Sequence, residues 1–314
     1  MSTRTRNAVP LVAVGSIGID TIETPHGRGA DLLGGSLSYA CAAASFFTRP
    51  GMVGVVGTDF PRRHLRLYDR FGIDTRGLQQ VPGRTFRWSG EYDADLGYAR
   101  TLATELNVFA GFHPSLSGEQ RRARTLFLAN IDPELQLEVL EQAERPALIA
   151  CDTMNYWIDA KREVLLDVLR RVDVCLLNDA EARQLSGEAQ LPRAARALLD
   201  MGMRRLVIKK GEHGALFFSP DDRFFGPAFP HENLVDPTGA GDSFAGGFLG
   251  YLDRAAGAGA PPFRQAMVCG TAMASLCVEA FSPERLARTT PEEIAERVRA
   301  VRALAHVPEM DLWA

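Results

Sequence analysis

The chain has 314 residues, a formal net charge of −4 and a pI near 5.9. That length fits one large α/β domain or two smaller ones, and 46% hydrophobic with 24% charged residues is typical of a globular protein. Since no basic excess exists to neutralise phosphates, a nucleic-acid partner is not expected. The apolar run at residues 37–47 is too short to span a bilayer, and residues 1–7 lead into no signal-peptide core. We expect a cytoplasmic protein without a membrane segment.

The cysteines and histidines show no metal-ligand spacing. The chain has five cysteines and six histidines, with no CxxC pair and no HExxH motif. All five cysteines lie in apolar surroundings, namely Cys41, Cys151, Cys175, Cys269 and Cys277. We therefore expect reduced thiols in the core and no structural zinc site.

Short apolar runs alternate with helical patterns along most of the chain. The predicted strands are residues 9–16, 52–56, 126–129, 147–151, 172–177 and 206–209. The predicted helices are residues 36–47, 62–71, 133–143, 159–170, 192–201, 241–252, 263–280 and 291–304. This alternation indicates an α/β fold with a mainly parallel central sheet flanked by helices on both faces.

One segment breaks this alternation. Residues 84–104 contain alternating polar and apolar positions around a polar turn at 93–97, a pattern typical of a β-hairpin. Together with residues 20–30, this segment predicts a small second sheet that projects from a single domain covering residues 1–314. The small sheet is either a lid over a ligand or a decoration of the sheet edge.

The stretch "DPTGAGD", residues 236–242, carries the strongest chemical signal. Gly239, Ala240 and Gly241 precede an apolar helical pattern, so their free N–H groups and the helix dipole favour an anion such as phosphate. Asp242 follows in the first turn, where its carboxylate can accept a proton from an attacking hydroxyl group. Alternatively, Asp242 only complements the helix dipole and the glycines only make a tight turn. The motifs of P-loop NTPases, protein kinases and dinucleotide-binding proteins are missing.

The longer stretch "DPTGAGDSFAGGF" resembles the C-terminal signature of the ribokinase family, the PfkB-type carbohydrate and nucleoside kinases. Four further stretches resemble this family in the same order along the chain: "VAVGSIGID", "LLGGSLSYA", "LLNDAEARQLSG" and "LVIKKGEHGALFF". The resemblance implies a ribokinase-like fold with a small β lid. It also implies an enzyme that uses ATP and Mg²⁺ to phosphorylate a hydroxymethyl group of a small sugar or nucleoside.

The resemblance also implies roles for residues on the acceptor side of the site. Asp242 is the expected base, and Gly239, Ala240 and Gly241 form the expected anion hole. Asp20, at the end of the first strand, and Gly34 and Gly35, before the next helix, are expected to hold the acceptor; Ser36 is otherwise a plain N-cap.

On the nucleotide side, Asn178 and Glu181 allow two interpretations. Their spacing at a helix start is typical of a capping box, whereas the resemblance implies that Glu181 organises a water bound to Mg²⁺. Lys210, Gly211 and Gly214 mark the expected nucleotide cleft, with residues 272–281 beside the adenine. Asp236 is the possible ligand of a monovalent cation such as K⁺. Asp152 and Asn155 follow a predicted strand and are secondary candidates for binding substrate or phosphate.

Two features bear on the acceptor. Tyr39 stands where similar sugar kinases have asparagine, and the predicted lid carries four aromatic residues, Phe86, Trp88, Tyr92 and Tyr98. Stacking of these rings on a base would favour a nucleoside, but they can equally pack the small sheet or clasp a homodimer through the lid. The alternative function is a sensor on the same fold that binds a nucleoside or sugar phosphate without turnover. An intact Asp242 argues against it.

Overall fold

A computed structural model describes residues 9–97 and 99–306 of the chain. Its strands are β1 Leu11–Val14, β2 Gly18–Thr24, β3 Gly27–Gly34, β4 Pro50–Gly57, β5 Asp74–Val81, β6 Phe86–Tyr92, β7 Ala99–Glu105, β8 Thr125–Leu128, β9 Leu148–Asp152, β10 Val174–Asn178, β11 Leu206–Lys209, β12 Ala215–Phe218 and β13 Arg223–Gly226. Its α-helices are α1 Ser36–Ala44, α2 Arg62–Arg70, α3 Gly118–Arg121, α4 Pro133–Gln142, α5 Asn155–Ala160, α6 Arg162–Arg171, α7 Asp179–Ser186, α8 Leu191–Asp200, α9 Ala240–Ala255, α10 Phe263–Cys277 and α11 Pro291–Leu304.

The central sheet has nine strands in the order β13-β12-β11-β10-β9-β8-β1-β4-β5. Seven of them run parallel, and β12 and β13 form antiparallel pairs at one edge. Two apolar clusters lie against the sheet, one including β8, α6 and α8 residues and the other including α1, α9 and α10 residues. The predicted mainly parallel sheet with helices on both faces is confirmed. The carboxyl ends of its parallel strands share one edge, which is where such sheets bind ligands.

A separate sheet of four strands, in the order β3-β2-β6-β7, forms the small second sheet that the sequence predicts. We call this sheet the lid. Its inner pair, β2 and β6, is parallel, and its outer pairs are antiparallel. Asp20 therefore lies within β2 of the lid and not at the end of β1, because the chain leaves the central sheet after Val14 and enters the lid at Gly18.

Several boundaries differ from the predicted ones for local physical reasons. Strand β5 is absent from the prediction because its sequence, DTRGLQQV, is polar and half-exposed at the sheet edge, where only β4 pairs with it. The helix predicted at 159–170 is two helices, α5 and α6, that meet at Lys161, whose ψ of 40° is not helical. Tyr98 lies outside the described residues.

The five cysteines are free and buried in the core. No single helix in the described part of the chain combines the length and apolar character needed to cross a membrane; only Phe263–Cys277 and Ser282–Arg288 taken together, across a 106° bend, reach that length and composition.

Candidate active site

The signature loop, residues 236–242, leads directly into α9. Gly239 is the N-cap residue of this helix and has a φ of +77°, a left-handed conformation that favours glycine. The Asp236 carboxylate accepts a hydrogen bond of 2.9 Å from the Thr238 N–H and so shapes the turn before the helix. In the described part of the chain no side chain caps α9. The Ala240 N–H donates to the Pro237 carbonyl at 3.1 Å, so the Gly239 and Gly241 amides are the expected anion-hole donors that remain available to an anion.

The Tyr39 ring packs against this loop. The residue is 1% exposed, and a Cβ on Gly239 would overlap the Tyr39 ring, so the backbone of the loop rests directly on that ring. The expectation that Tyr39 contacts the acceptor is therefore not met in this conformation, because its ring presents no accessible face. The larger side chain in place of asparagine fills the space beneath the glycine of the loop.

Asp242 lies in the first turn of α9, partly buried. Burial and the nearby carboxylate of Asp152 raise its pKa to about 7, while the Lys209 ammonium acts in the opposite direction. A carboxylate whose pKa lies near neutral pH is a better proton acceptor than an ordinary aspartate, and a substantial fraction of it is ionised at that pH. The position and the pKa of Asp242 both suit a general base.

Asp20, the predicted acceptor-binding residue, lies against the turn between β3 and α1. Asp20 is 3% exposed, and its Oδ1 has no hydrogen-bond partner among the described residues. Burial, Asp236 and Asp242 raise its pKa to about 8. A Cβ on Gly34 would overlap the Asp20 carboxylate, and Gly35, with a φ of +87°, passes close to Ser16 and Ile17. Gly35 is the N-cap residue of α1, so Ser36 is not the cap; its hydroxyl instead bonds to Ser16.

Replacing Gly34 by alanine should displace the Asp20 carboxylate, because the added methyl group needs the same space. We expect kcat/KM for the acceptor to fall by about 100-fold, the scale of a displacement of roughly 1 Å in a positioned group. Gly111→Ala is the matched control, since no atom lies within 4 Å of its added methyl group. An equal loss in both variants would contradict the assignment.

Asn178 and Glu181 form a complete capping box at the start of α7. The Asn178 side chain accepts from the Glu181 N–H at 2.8 Å, and the Glu181 carboxylate accepts from the Asn178 N–H and Nδ2 at 2.7 Å each. Burial raises the pKa of Glu181 to about 7, against the opposing effect of Lys209. The capping interpretation is therefore correct for the local geometry, and the same box holds Glu181 beside Lys209, Asp152 and Asp242.

Lys209, and not Lys210, points into this carboxylate cluster. Its Nζ lies 2.6 Å from Asp152 Oδ2, and a Cβ on Gly241 would lie 3.2 Å from the same Nζ. Lys210 lines a cavity outside the cluster, of about 390 Å³, together with Glu212, His213, Phe225, Pro227 and Ala228. Lys210 lies just past the end of β11 and does not join the carboxylate cluster, and its expected place at the nucleotide cleft stays a prediction. Asn155 is exposed, and its side-chain oxygen accepts a hydrogen bond of 2.9 Å from the Tyr156 N–H at the start of its own helix.

The signature loop, the candidate base Asp242 and the buried carboxyl group of Asp20 therefore lie near one another, since Asp236 and Asp242 both act on the pKa of Asp20. The pfkB family carbohydrate kinase model matches residues 12–289. The chain belongs to this family.

A curated relative gives the same assignment. The kinase is 33% identical over 249 residues to a cytidine kinase of Thermococcus kodakarensis, across 78% of this chain and 88% of that protein. The predicted reaction class is confirmed: the kinase transfers a phosphoryl group to a hydroxyl group of a sugar or nucleoside.

Solved structures confirm the fold. A Burkholderia thailandensis nucleoside kinase in complex with ADP and inosine superposes with a TM-score of 0.77 at 19% identity, covering 96% of this chain and 98% of that chain. An E. coli protein assigned as ribokinase II, crystallised with ATP and Mg²⁺, superposes with a TM-score of 0.74 at 19% identity, covering 93% and 99%.

A hydrogen bond joins the lid of the kinase to the signature loop. The Tyr92 hydroxyl, at the end of β6, lies 3.0 Å from the Thr238 hydroxyl. Burial raises the pKa of Tyr92 to about 12, so the phenol is protonated and available as a donor. No prediction from the sequence linked these two residues, which are 146 positions apart.

This contact should hold the lid closed during turnover. We expect Tyr92→Phe and Thr238→Val each to lower kcat/KM about three- to tenfold, the worth of one hydrogen bond. The double variant should be no worse than the poorer single one, because both remove the same bond. Steady-state kinetics of the four proteins test this; losses that multiply would show that the two side chains act independently.

Proposed function

We propose that the kinase uses ATP and Mg²⁺ to phosphorylate the hydroxymethyl group of a ribonucleoside, with cytidine as the first acceptor expected. One observation carries this choice: Asp20 is the register partner of Trp88 across the parallel strands β2 and β6. Register partners lie on the same face of a sheet. A carboxylate suited to sugar hydroxyls therefore has an aromatic ring beside it on which a base can stack.

The Trp88 ring is anchored for such a role. Its Nε1 donates to the Thr101 hydroxyl on β7 at 3.2 Å, and its six-membered ring packs over Gly90, so that any side chain at position 90 would collide with it. The ring is partly exposed, in contrast to the buried Tyr39. The 33% identity to a cytidine kinase supports the same substrate class.

In the reaction, Asp242 accepts the proton of the acceptor hydroxyl. The hydroxyl oxygen bonds to the γ-phosphorus while the bond from that phosphorus to the ADP oxygen breaks, and ADP keeps its electron pair. The amides of Gly239 and Gly241, joined by that of Ala240 once it releases the Pro237 carbonyl, donate to the transferring group and stabilise its charge. Asp20 orients the acceptor through its free Oδ1. The closed lid excludes water that would otherwise hydrolyse ATP.

Magnesium fits this site through water. Across the described ranges, no group of three or more His, Cys, Asp or Glu side chains is arranged to hold a metal ion directly. Both Glu181 carboxylate oxygens already accept hydrogen bonds from Asn178, so Glu181 would contact Mg²⁺ through a bound water. Mg²⁺ commonly keeps several waters when it binds to a protein. When bound, the ion neutralises phosphate charge. Gly211 and Gly214, in the turn between β11 and β12, would border the nucleotide.

Asp236 is the proposed ligand of a monovalent cation. Its Oδ2 is fully buried and has no hydrogen-bond partner in the described part of the chain, and an orphaned buried carboxylate oxygen suits a cation. Turnover in K⁺ compared with tetramethylammonium at equal ionic strength tests this proposal.

We also propose that two copies meet through the lid. Strand β7 is an edge strand with an unpaired side, and Leu102 on it is 51% exposed. Exposed edges and apolar residues favour pairing with a second chain. Light scattering of the wild type and of a Leu102→Lys variant tests it, and a monomeric wild type would refute it.

The acceptor is tested by measuring ADP production with cytidine, adenosine, inosine, ribose, fructose, fructose 6-phosphate and myo-inositol. Cytidine or another nucleoside should give the highest kcat/KM, and Trp88→Ala should lower it for nucleosides more than for free sugars. A sugar preferred over every nucleoside would overturn the proposed substrate class. No turnover with any acceptor would favour the sensor.

A further inference from the structure

Lys209 is a positive charge held among carboxylates at the base of the anion loop. Its side chain is 16% exposed, and that of its partner Asp152 is 5% exposed. Burial alone would lower the pKa of Lys209, but Asp152 and Glu181 outweigh this effect and hold its pKa above the ordinary value. The side chain is therefore a charged ammonium. Buried charges are costly, and this one calls for an explanation.

The ammonium adjoins the amides that would hold a phosphate. A Cβ atom added to Gly241 would lie 3.2 Å from the Lys209 Nζ, so the ammonium packs against the first turn of α9. Asp152, Glu181 and Asp242 bring three carboxylates to this region against the single ammonium. Three carboxylates would repel a nucleotide triphosphate, and a cation that can turn toward the phosphates offsets that repulsion.

Lysine is rare in this chain. Of its 35 basic residues only three are lysines, Lys161, Lys209 and Lys210, and the rest are arginines. Lysine carries a compact charge on a flexible stem, whereas arginine has a rigid planar fork. A compact cation suits a contact that must be made and broken as a phosphoryl group moves.

We propose that Lys209 is a catalytic residue whose ammonium contacts the γ-phosphate of bound ATP, with Asp152 holding the ammonium in place when ATP is absent. This inference rests on the proposed use of ATP. The competing explanation is structural. Strands β9 and β11 lie on either side of β10, and the Lys209–Asp152 ion pair would then only join the end of β9 to the end of β11.

Removing the two charges of the ion pair separately and together separates the two explanations. Lys209→Met, Asp152→Asn and the double variant are compared with wild type for binding of ATP, ADP and adenosine by calorimetry, and for thermal unfolding. Lys161→Met is the control, because it also removes a partly buried lysine ion pair, with Asp132 and Glu134.

We expect Lys209→Met to weaken ATP binding about 10- to 100-fold, the scale of one hydrogen bond to a charged group. ADP binding should change less than about threefold and adenosine binding should not change, since neither ligand has a γ-phosphate. Asp152→Asn should bind ATP at least as well as wild type. The double variant should be more stable than Lys209→Met, because Asp152 then also lacks its charge, but it should not recover ATP affinity.

The inference is overturned if the double variant regains ATP affinity, if Lys209→Met leaves ATP affinity unchanged, or if all three ligands weaken equally. Because no acceptor is needed, these outcomes are independent of the proposed substrate. A kinase that phosphorylates no tested nucleoside but shows the expected ATP pattern would refute the proposed acceptor and retain the role of Lys209.

Discussion

Replacing Asp242 by asparagine is expected to lower kcat by about 10²- to 10⁴-fold, the usual contribution of a general base. The substitution keeps the size and polarity of the side chain but removes its ability to accept the proton. ATP binding should not weaken, because a negative charge near the phosphates is lost. Single-turnover ADP formation and ATP calorimetry on the same preparation measure both effects. Undiminished turnover in the variant would show that another group accepts the proton.

The pH dependence of the wild type gives an independent check. The pKa of Asp242 is raised to about 7, so the base is protonated and inactive below that pH and ionised above it. We expect kcat to rise as the pH increases from 6 to 8 and then to level off. The residual rate of Asp242→Asn should lack this rise. A wild-type profile that is flat between pH 5 and 8 would contradict a raised pKa in the reacting complex.

Asp20→Asn should raise stability while it removes function. The folded pKa of Asp20 is about 8 against an ordinary value of 3.8, chiefly because of burial and the nearby Asp236. The extra proton held by the folded state stabilises it most below pH 3.8, and this contribution is lost as the pH rises through 8. Above pH 8 the wild type therefore carries an unfavourable buried charge that asparagine lacks.

We expect Asp20→Asn to be more stable than wild type at pH 8.5 by about 1–3 kcal/mol and indistinguishable from it near pH 4. The KM of the acceptor should rise about 100-fold, since the carboxyl group that positions the acceptor is lost. Urea unfolding at both pH values and acceptor kinetics test the pair of effects, with the exposed Asp69→Asn as control. Lower stability at pH 8.5 would mean that Asp20 is ionised and well paired in the free protein.

Local pattern predicted most elements of this fold and the signature loop. Glycines directly before an apolar helical pattern predict the start of a helix. This prediction does not depend on where the helix packs. Asp20 is a mixed case: the resemblance identified the residue, but its place at the end of the first strand was wrong. The period-two pattern cannot tell where one sheet ends and another begins, because Val14 and Gly18 are only four positions apart.

The choice between Lys209 and Lys210 shows a second limit. Lys209 is the last residue of β11 and Lys210 already lies outside the strand, and nothing local states which of the two side chains faces the carboxylates. Tyr39 shows a third limit, since its ring was expected to face a ligand and instead fills the space under Gly239.

The sequence by itself determined the family, the order of strands and helices and the anion loop, because each depends on neighbours within a few residues. Tertiary structure alone decided which lysine faces the carboxylates, where Tyr92 of the lid meets the signature loop and which side chain packs against that loop. Lys209 meets Asp152 across 57 positions, and Tyr92 meets Thr238 across 146. Such pairs are fixed by how the strands and the lid stack, and the chain segments between them carry no local trace of the contact.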